Sequence, residues 1–281
     1  MHVTTGTAPA RPDRPNEDFV AAGNSVVVLL DGAGNPPGAD EGCRHGVAWF
    51  TRTLGATVLA RATDRPHRTL TAILRTAIAS VAELHRAGCD LEHPGSPSAT
   101  VVALRRVGDL LDYLVLADSV LVLDRGWSIR VITDDRVAEV GHRFRAALDA
   151  PPLGSPAHAD GLRRYVETMR GYRNRPGGFW VASSDPHAAD QAITGTAAVA
   201  DVHAAVLLSD GASRLVDRFR LATWPQLVTP VATGGPDALI DRVRQAEQSD
   251  PVGHPWPRGQ PSDDATAAYV VPVPSRPVTA Q

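Results

Sequence analysis

Val26-Val-Val-Leu-Leu-Asp31-Gly32 and Ala204-Ala-Val-Leu-Leu-Ser-Asp210-Gly211 follow one plan: a short apolar run that ends in Asp-Gly. A run of that length bounded by a turn signal predicts a buried strand. An aspartate just past the end of such a strand is held rigidly at the edge of a core. Two of them converging on one point suit a hard divalent cation. Taken singly, each Asp-Gly is more simply a turn, because glycine accepts positive φ and aspartate bonds its neighbouring backbone. The metal reading therefore depends on what accompanies them.

The 281 residues suit one large domain or two small ones, and either can bury a proper core. A hydrophobic content of 43% with 21% charged residues is ordinary for a soluble globular protein. The net charge of −3 argues against a nucleic-acid partner, which usually brings a basic stripe. No stretch approaches a membrane span, and the N-terminus lacks the basic-then-apolar form of a signal peptide. A cytoplasmic monomer with no membrane partner is the expectation. Cys43 and Cys89 fall on separate predicted helices. A metal knuckle needs closer spacing and more ligands, and a disulfide framework needs more cysteines, so both are expected as small buried or half-buried thiols.

Residues 1–15 are rich in Pro, Thr and Ala and read as an extended lead-in, flexible over 1–10. After the Val26–Leu30 strand, the Gly- and Pro-rich loop Gly32–Gly38 forbids regular structure. Apolar spacing predicts helices over Asp40–Ala62 and Thr69–Ala87. Short strands at Thr100–Arg105, Leu111–Leu116, Val120–Asp124 and Ser128–Ile132, separated by turns, suggest an antiparallel meander. Residues 135–178 read as an irregular, mobile insertion with one short helix near Leu162–Met169. Phe179–Ala182 is expected as a strand, Ala188–Ala198 as a helix and Ala204–Ser209 as a strand. Helices are expected at Ala212–Phe219 and Pro236–Gln248, with a final strand at Ala265–Val271 and a disordered tail beyond residue 273. The order points to an α+β layered domain rather than alternating βαβ units.

Acids stand beside strands in five segments: Asn16-Glu17-Asp18, Asp31-Gly32-Ala33-Gly34-Asn35, Ala117-Asp118-Ser119, Ser209-Asp210-Gly211 and Asp263-Asp264-Ala265-Thr266. Two metals roughly 3.5–4 Å apart need a bridging carboxylate and further oxygens on each side. Mg²⁺ and Mn²⁺ both favour octahedral oxygen coordination. With Ser98-Ala99-Thr100 as a sixth segment, the chain resembles the metal-dependent Ser/Thr protein phosphatases of the protein phosphatase 2C family, as a divergent bacterial-type member. That pattern runs from Arg-x-x-Asn-Glu-Asp through Asp-Gly-x-Gly-Gly, Gly-Thr-Thr, Gly-Asp-Ser and Ser-Asp-Gly to Asp-Asn-x-Thr. The resemblance spans about residues 11–273, with 135–178 where the family carries its substrate-facing flap.

The resemblance implies a four-layer αββα sandwich of two mostly antiparallel sheets flanked by helices. It implies two Mn²⁺ or Mg²⁺ ions with a possible third. Asp31 would bridge the two ions, the Gly32 carbonyl would ligate one, and Asp210 and Asp263 would complete the other. Glu17 would contact metal-bound water, Asp18 the outer shell and Asp118 the third ion. Asp31 and Asp210 are the residues on which catalysis would rest. A water between the two cations would attack phosphorus in line, without a covalent phosphoenzyme. The implied substrate is a phosphoserine or phosphothreonine protein. Alternatives are a small phosphorylated metabolite, or an inactive regulatory module that keeps only the fold.

The departures are specific. Asp13 stands where the family has its phosphate-binding arginine, leaving Arg14 and Arg11 as the nearby guanidinium candidates. Asn35 replaces the second turn glycine, Ala33 a histidine found in some members, and Ala117 and Ser98 replace glycines. His142, His158, His187 and His203 share no metal-ligand spacing, and Asp134-Asp135 reads as a solvated turn.

Overall fold

A computed structural model describes residues 1–33 and 42–273. Strands β1 (His2–Ala8), β2 (Phe19–Ala22), β3 (Val26–Leu30) and the short β4 (Gly32–Ala33) lead into helices α1 (Val47–Asp64) and α2 (Leu70–His85). β5 (Ser98–Ala99), β6 (Val101–Val107), β7 (Leu110–Leu116), β8 (Val120–Asp124) and β9 (Ile129–Ile132) follow. Three helices come next: α3 (Arg136–His142), α4 (Ala146–Asp149) and α5 (Pro156–Arg170). β10 (Ile193–Ala198), β11 (Ala204–Leu208), α6 (Asp210–Asp217), α7 (Trp224–Ser249) and β12 (Ala265–Val271) complete the order.

The strands form two five-stranded sheets, β1-β12-β11-β8-β9 and β10-β7-β6-β3-β2, with every neighbouring pair antiparallel. The alternation of side chains shows how they stack. Val26, Val28 and Leu30 of β3 pack with Leu54, Ile73 and Ile78 of α1 and α2. Val27 and Leu29 point the other way, into a shared layer with Leu121, Leu123, Leu207 and Val270 of the second sheet. Val120, Val122, Val206 and Leu208 then face Leu215, Leu227 and Val243 of α6 and α7. The result is an αββα sandwich of four layers, as the resemblance implies. Both inner sheets are covered on both faces, which is why β3 and β11 are continuous apolar runs rather than alternating ones.

Several elements differ from the sequence expectation. The lead-in is not loose, since His2–Ala8 is the edge strand β1, paired residue for residue with β12. The four central strands are not one meander. β6 and β7 form a hairpin in one sheet, β8 and β9 a hairpin in the other, and the chain changes sheet at Ala117–Ser119. Residues 135–178 hold three helices instead of irregular loop. Ser155 caps α5 by accepting the His158 N–H at 3.2 Å, with Pro156 in the first turn, where a missing N–H costs nothing. Phe179–Ala182 makes isolated bridges to Arg173 and Ala99 rather than a strand, and the Val181 N–H is taken by the Asn174 side chain. Pro186–Gln191 is a 3-10 turn and β10 follows it, so Ala188–Ala198 is not one helix. α1 begins at Val47, and the expected start at Asp40, with Gly34 and Asn35, lies outside the described residues, as do 274–281. α7 begins 12 residues before the expected Pro236 and kinks at Gly235, whose φ is 78°. Cys43 and Cys89 lie off the helices and face one another as an antiparallel bridge. Among the described residues, no helix is long and apolar enough to cross a membrane.

The sheet change carries a local strain. Ala117 sits at φ 68°, where the family pattern has glycine, and its methyl is buried among Val140, Met169, Phe179 and Val181. Left-handed backbone costs an L-residue about 1–2 kcal/mol, while burying one methyl returns about 0.8 kcal/mol. These nearly cancel, so Ala117→Gly should change unfolding free energy by no more than about 1 kcal/mol. Ala117→Val adds β-branching at the same φ inside a filled cluster and should cost about 2 kcal/mol or more. Urea unfolding of the two variants measures both; equal effects would remove the strain argument.

Candidate active site

Asp31 closes β3, Asp118 lies at the sheet change, Asp210 opens α6, and Asp263 stands two residues before β12. All four, with Gly32, line a single cleft of about 390 Å³. Their backbones are tied together first. The Asp210 N–H donates to Asp31 Oδ2 at 2.9 Å, joining the ends of strands from different sheets. The Asp31 carbonyl accepts the Thr100 N–H at 2.9 Å, the Asp31 N–H donates to Thr100 Oγ1 at 3.2 Å, and Thr100 Oγ1 meets Ser119 Oγ at 2.5 Å. Gly32 pairs with Ala99 in the small β4–β5 ribbon.

Close approach explains the two glycines. A Cβ on Gly32 would stand 2.5 Å from the Glu17 carbonyl oxygen and 2.6 Å from Val47 Cγ1. A Cβ on Gly211 would stand 1.9 Å from the Asp264 carbonyl oxygen. Only glycine lets these backbones meet.

The carboxylates raise one another's pKa. Burial, then the charges of Asp210, Asp18 and Asp263, pushes Asp31 well above the ordinary carboxylate range. Burial and Asp210 push Asp118 up to about 7. Burial pushes Asp263 up to about 7, with Arg214 opposing and Asp210 adding to it. Both Asp18 oxygens are buried without a hydrogen-bond partner; the Thr266 and Ser209 hydroxyls are near enough to ease its raised pKa but form no regular bond to it. Four acids at one point, with a fifth orphaned behind them, make an oxygen-donor set that fits hard divalent cations.

Arg214 offsets part of this charge. One nitrogen donates to Glu247 Oε1 at 2.8 Å and another to Asp263 Oδ2, and Arg244 donates to Glu247 Oε2 at 2.8 Å and the Asp263 carbonyl at 2.7 Å. Burial works against the Arg214 charge, but Asp263, Asp210 and Glu247 outweigh it and raise its pKa. Asp264 does a different job: it accepts the Ala10 N–H and the Glu17 N–H, each at 2.6 Å, and so positions the Glu17-Asp18 segment. Glu17 reaches Gly32 through its backbone and is not among the cleft-lining residues. Arg214 did not stand out in the sequence, and Asp264 stood there only within the Asp263-Asp264-Ala265-Thr266 segment, without a role. The only signals were an arginine one helical turn after Asp210 and a second acid beside Asp263.

The arginines divide differently from expectation. Arg11 is exposed and forked onto Asp13 at 3.0 and 2.7 Å; Arg14 is exposed, and neither lines the cleft. Arg145, Arg170, Arg173 and Arg218 do, from the three-helix insertion and the end of α6. Arg145 is forked onto Asp149, and Arg173 holds Ser98 Oγ at 2.8 Å. Arg218 makes no side-chain hydrogen bond or ion pair among the described residues; burial, then the charges of Arg145 and Arg214, lowers its pKa. Asp134 is not a solvated turn, being buried and forked onto Arg136. His142 lines the cleft, whereas His158 is buried with Nε2 on the Arg258 carbonyl at 2.9 Å.

Gly211→Ala tests the close approach. The opposing atom is backbone, so relief requires Asp210 and Asp263-Asp264 to separate, at a cost of about 1–3 kcal/mol. The variant should unfold at lower temperature and bind Mn²⁺ more weakly by calorimetry; unchanged binding would show that this spacing does not matter.

Comparison with known proteins bears on the family and the fold. The model of the protein phosphatase 2C family matches residues 5–236. A bacterial serine phosphatase structure superposes with a TM-score of 0.58 at 13% identity, covering 98% of this chain and 99% of that one. The catalytic domain of the serine/threonine protein phosphatase PstP, in complex with two manganese ions, gives 0.55 at 16% identity, covering 95% and 96%. The phosphatase MsPP of Mycobacterium smegmatis, in complex with cacodylate, gives 0.56 at 16% identity, covering 96% and 98%. No curated protein sequence matches the chain. With its family model matched over most of its length and its acids gathered at one end of the sandwich, the chain belongs to the protein phosphatase 2C family.

Proposed function

We propose that the cleft hydrolyses phosphoserine and phosphothreonine monoesters of proteins with the help of two Mn²⁺ or Mg²⁺ ions. The observation that carries this reading is the convergence of Asp31, Gly32, Asp118, Asp210 and Asp263 on one cleft. Asp31 and the Gly32 carbonyl would hold one ion, and Asp31, Asp210 and Asp263 the other. Asp118 would serve a third, with Glu17 and Asp18 behind the pair. When bound, such ions supply an activated water and neutralise charge on the phosphoryl oxygens.

The protein's own part is positioning. The Asp210 N–H fixes one Asp31 oxygen, so the carboxylate keeps one orientation. Arg214 takes Asp263 Oδ2, while Oδ1 accepts the Asp264 N–H at 3.2 Å and keeps a lone pair for a cation. The Arg218 guanidinium, which lines the cleft and forms no ion pair among the described residues, is suited to bidentate phosphate contact. Arg14, the candidate from the sequence, does not line the cleft and competes less well for that role.

A p-nitrophenyl phosphate assay with and without Mn²⁺ tests the chemistry. Activity should require the metal, and Asp31→Asn or Asp210→Ala should lower it on the order of 10²–10³-fold or more, the usual cost of one electrostatic group. Undiminished activity in either variant would remove the proposal. Arg218→Ala should lower kcat/KM about 10- to 100-fold, the worth of a charged hydrogen bond of about 1.5–3 kcal/mol. Arg14→Ala should change it about twofold at most, and the reverse ranking would return phosphate binding to Arg14. Phosphopeptides should outperform small phosphorylated metabolites; the opposite order would reassign the substrate.

A further inference from the structure

Cys43 and His45 lie in the turn before α1, and His85 and Cys89 lie at the end of α2 and just beyond it. Their ligand atoms all fall within 4.8 Å of one another. Cys43 Sγ is 3.7 Å from His45 Nδ1 and 3.6 Å from His85 Nδ1. Cys89 Sγ is 3.3 Å from His45 Nδ1 and 3.1 Å from Cys43 Sγ. A tetrahedral zinc with Zn–S of about 2.3 Å and Zn–N of about 2.0–2.1 Å separates its ligand atoms by about 3.3–3.8 Å. Three of the four sulfur–nitrogen edges fall in that range, the Sγ–Sγ edge must open by about 0.7 Å, and the remaining pairs lie within 4.8 Å.

We propose that Cys43, His45, His85 and Cys89 form a structural Zn²⁺ site, separate from the carboxylate cleft. Each half of the ligand set is a short sequence unit, Cys-x-His and His-x-x-x-Cys, and the backbone brings the halves together. Cys43 and Cys89 pair as an antiparallel bridge, and the Asp90 N–H donates to the Gly42 carbonyl at 2.7 Å. The pocket is partly closed, with His45 and Cys89 half-buried. Cys43 and His85 are buried, Trp49 stacks on His45 with centroids 4.4 Å apart, and Trp49 and Phe50 flank His85 at 5.2 and 6.4 Å. Four protein ligands leave no open position for substrate, which marks the site as structural rather than catalytic. The ligand chemistry also separates the two sites: thiolate and imidazole select zinc, and carboxylates select Mn²⁺ or Mg²⁺. The clip joins the ends of α1 and α2. Val47, two residues after His45, packs against Gly32, so the clip buttresses the strand end that carries Asp31.

The test uses the full chain, purified from zinc-containing medium without chelators and reconstituted with Zn²⁺. Native mass spectrometry and elemental analysis should find one Zn²⁺ per chain that survives dialysis against excess Mn²⁺ and is released by a mercurial thiol reagent. Co²⁺ in its place should show thiolate-to-cobalt charge transfer and strong tetrahedral d–d bands, which an oxygen site does not give. Cys89→Ser and His45→Ala should lose the ion and unfold at lower temperature, and dipicolinate should lower the wild-type Tm in the same way. Well under one equivalent after reconstitution, a weak octahedral Co²⁺ spectrum, or an intact mass showing a Cys43–Cys89 disulfide would each overturn the proposal. If the variants do not fold, the wild-type stoichiometry and the Co²⁺ spectrum decide.

Discussion

The Asp210 N–H donates to Asp31 Oδ2 across 2.9 Å, and through that bond the ends of β3 and β11 meet although they belong to different sheets. Two acids brought this close repel, and Asp118 and Asp263 add to the repulsion. The surrounding structure holds them in place by backbone contacts that do not depend on their charge. Thr100 clamps Asp31, Gly211 lets α6 approach Asp264, and Asp264 in turn accepts the Glu17 N–H and the Ala10 N–H. The sandwich core makes this affordable, since β3 and β11 are buried on both faces and cannot shift to relieve the crowding.

Within this arrangement Arg214 is the internal counter-ion. It binds Glu247 and Asp263 together, and Glu247 is shared with Arg244, which reaches the Ala8 and Pro9 carbonyls at the end of β1. A chain of ion pairs thus runs from the cleft to the edge of the sheet. Helices α3–α5 supply the other wall, with Arg145, Arg170 and Tyr165 turned toward the same cleft as the acids. Acids and guanidinium groups thus line one cleft, as a site for a phosphorylated group requires.

The legible parts of the sequence were those whose burial is written in one contiguous stretch. β3, β8, β11 and β12 are apolar because both faces are covered, and the acids at their ends were visible as punctuation. β10 was not legible: Thr, Gly and Ala on a half-exposed edge carry no periodicity, and only pairing with β7 makes it a strand. The first half of α5 was hidden because Gly161, poor for helices, is needed there to let the Ala147 carbonyl come close. β1 was hidden because Thr-rich edge strands resemble loops until a partner is present. Within the site, Asp31, Asp118, Asp210 and Asp263 were found from motif order, while Arg218 and Arg214 were not, since their meaning comes from contacts across the fold. The Cys–His cluster was missed for the same reason: its halves are separated by the two helices whose ends they join.

Anomalous diffraction from crystals soaked in Mn²⁺ would test the central claim most directly. Two peaks about 3.5–4 Å apart, with Asp31 touching both and Asp210 and Asp263 on one, are the predicted result. A cleft without manganese, or a single ion that leaves Asp31 unbound, would contradict it.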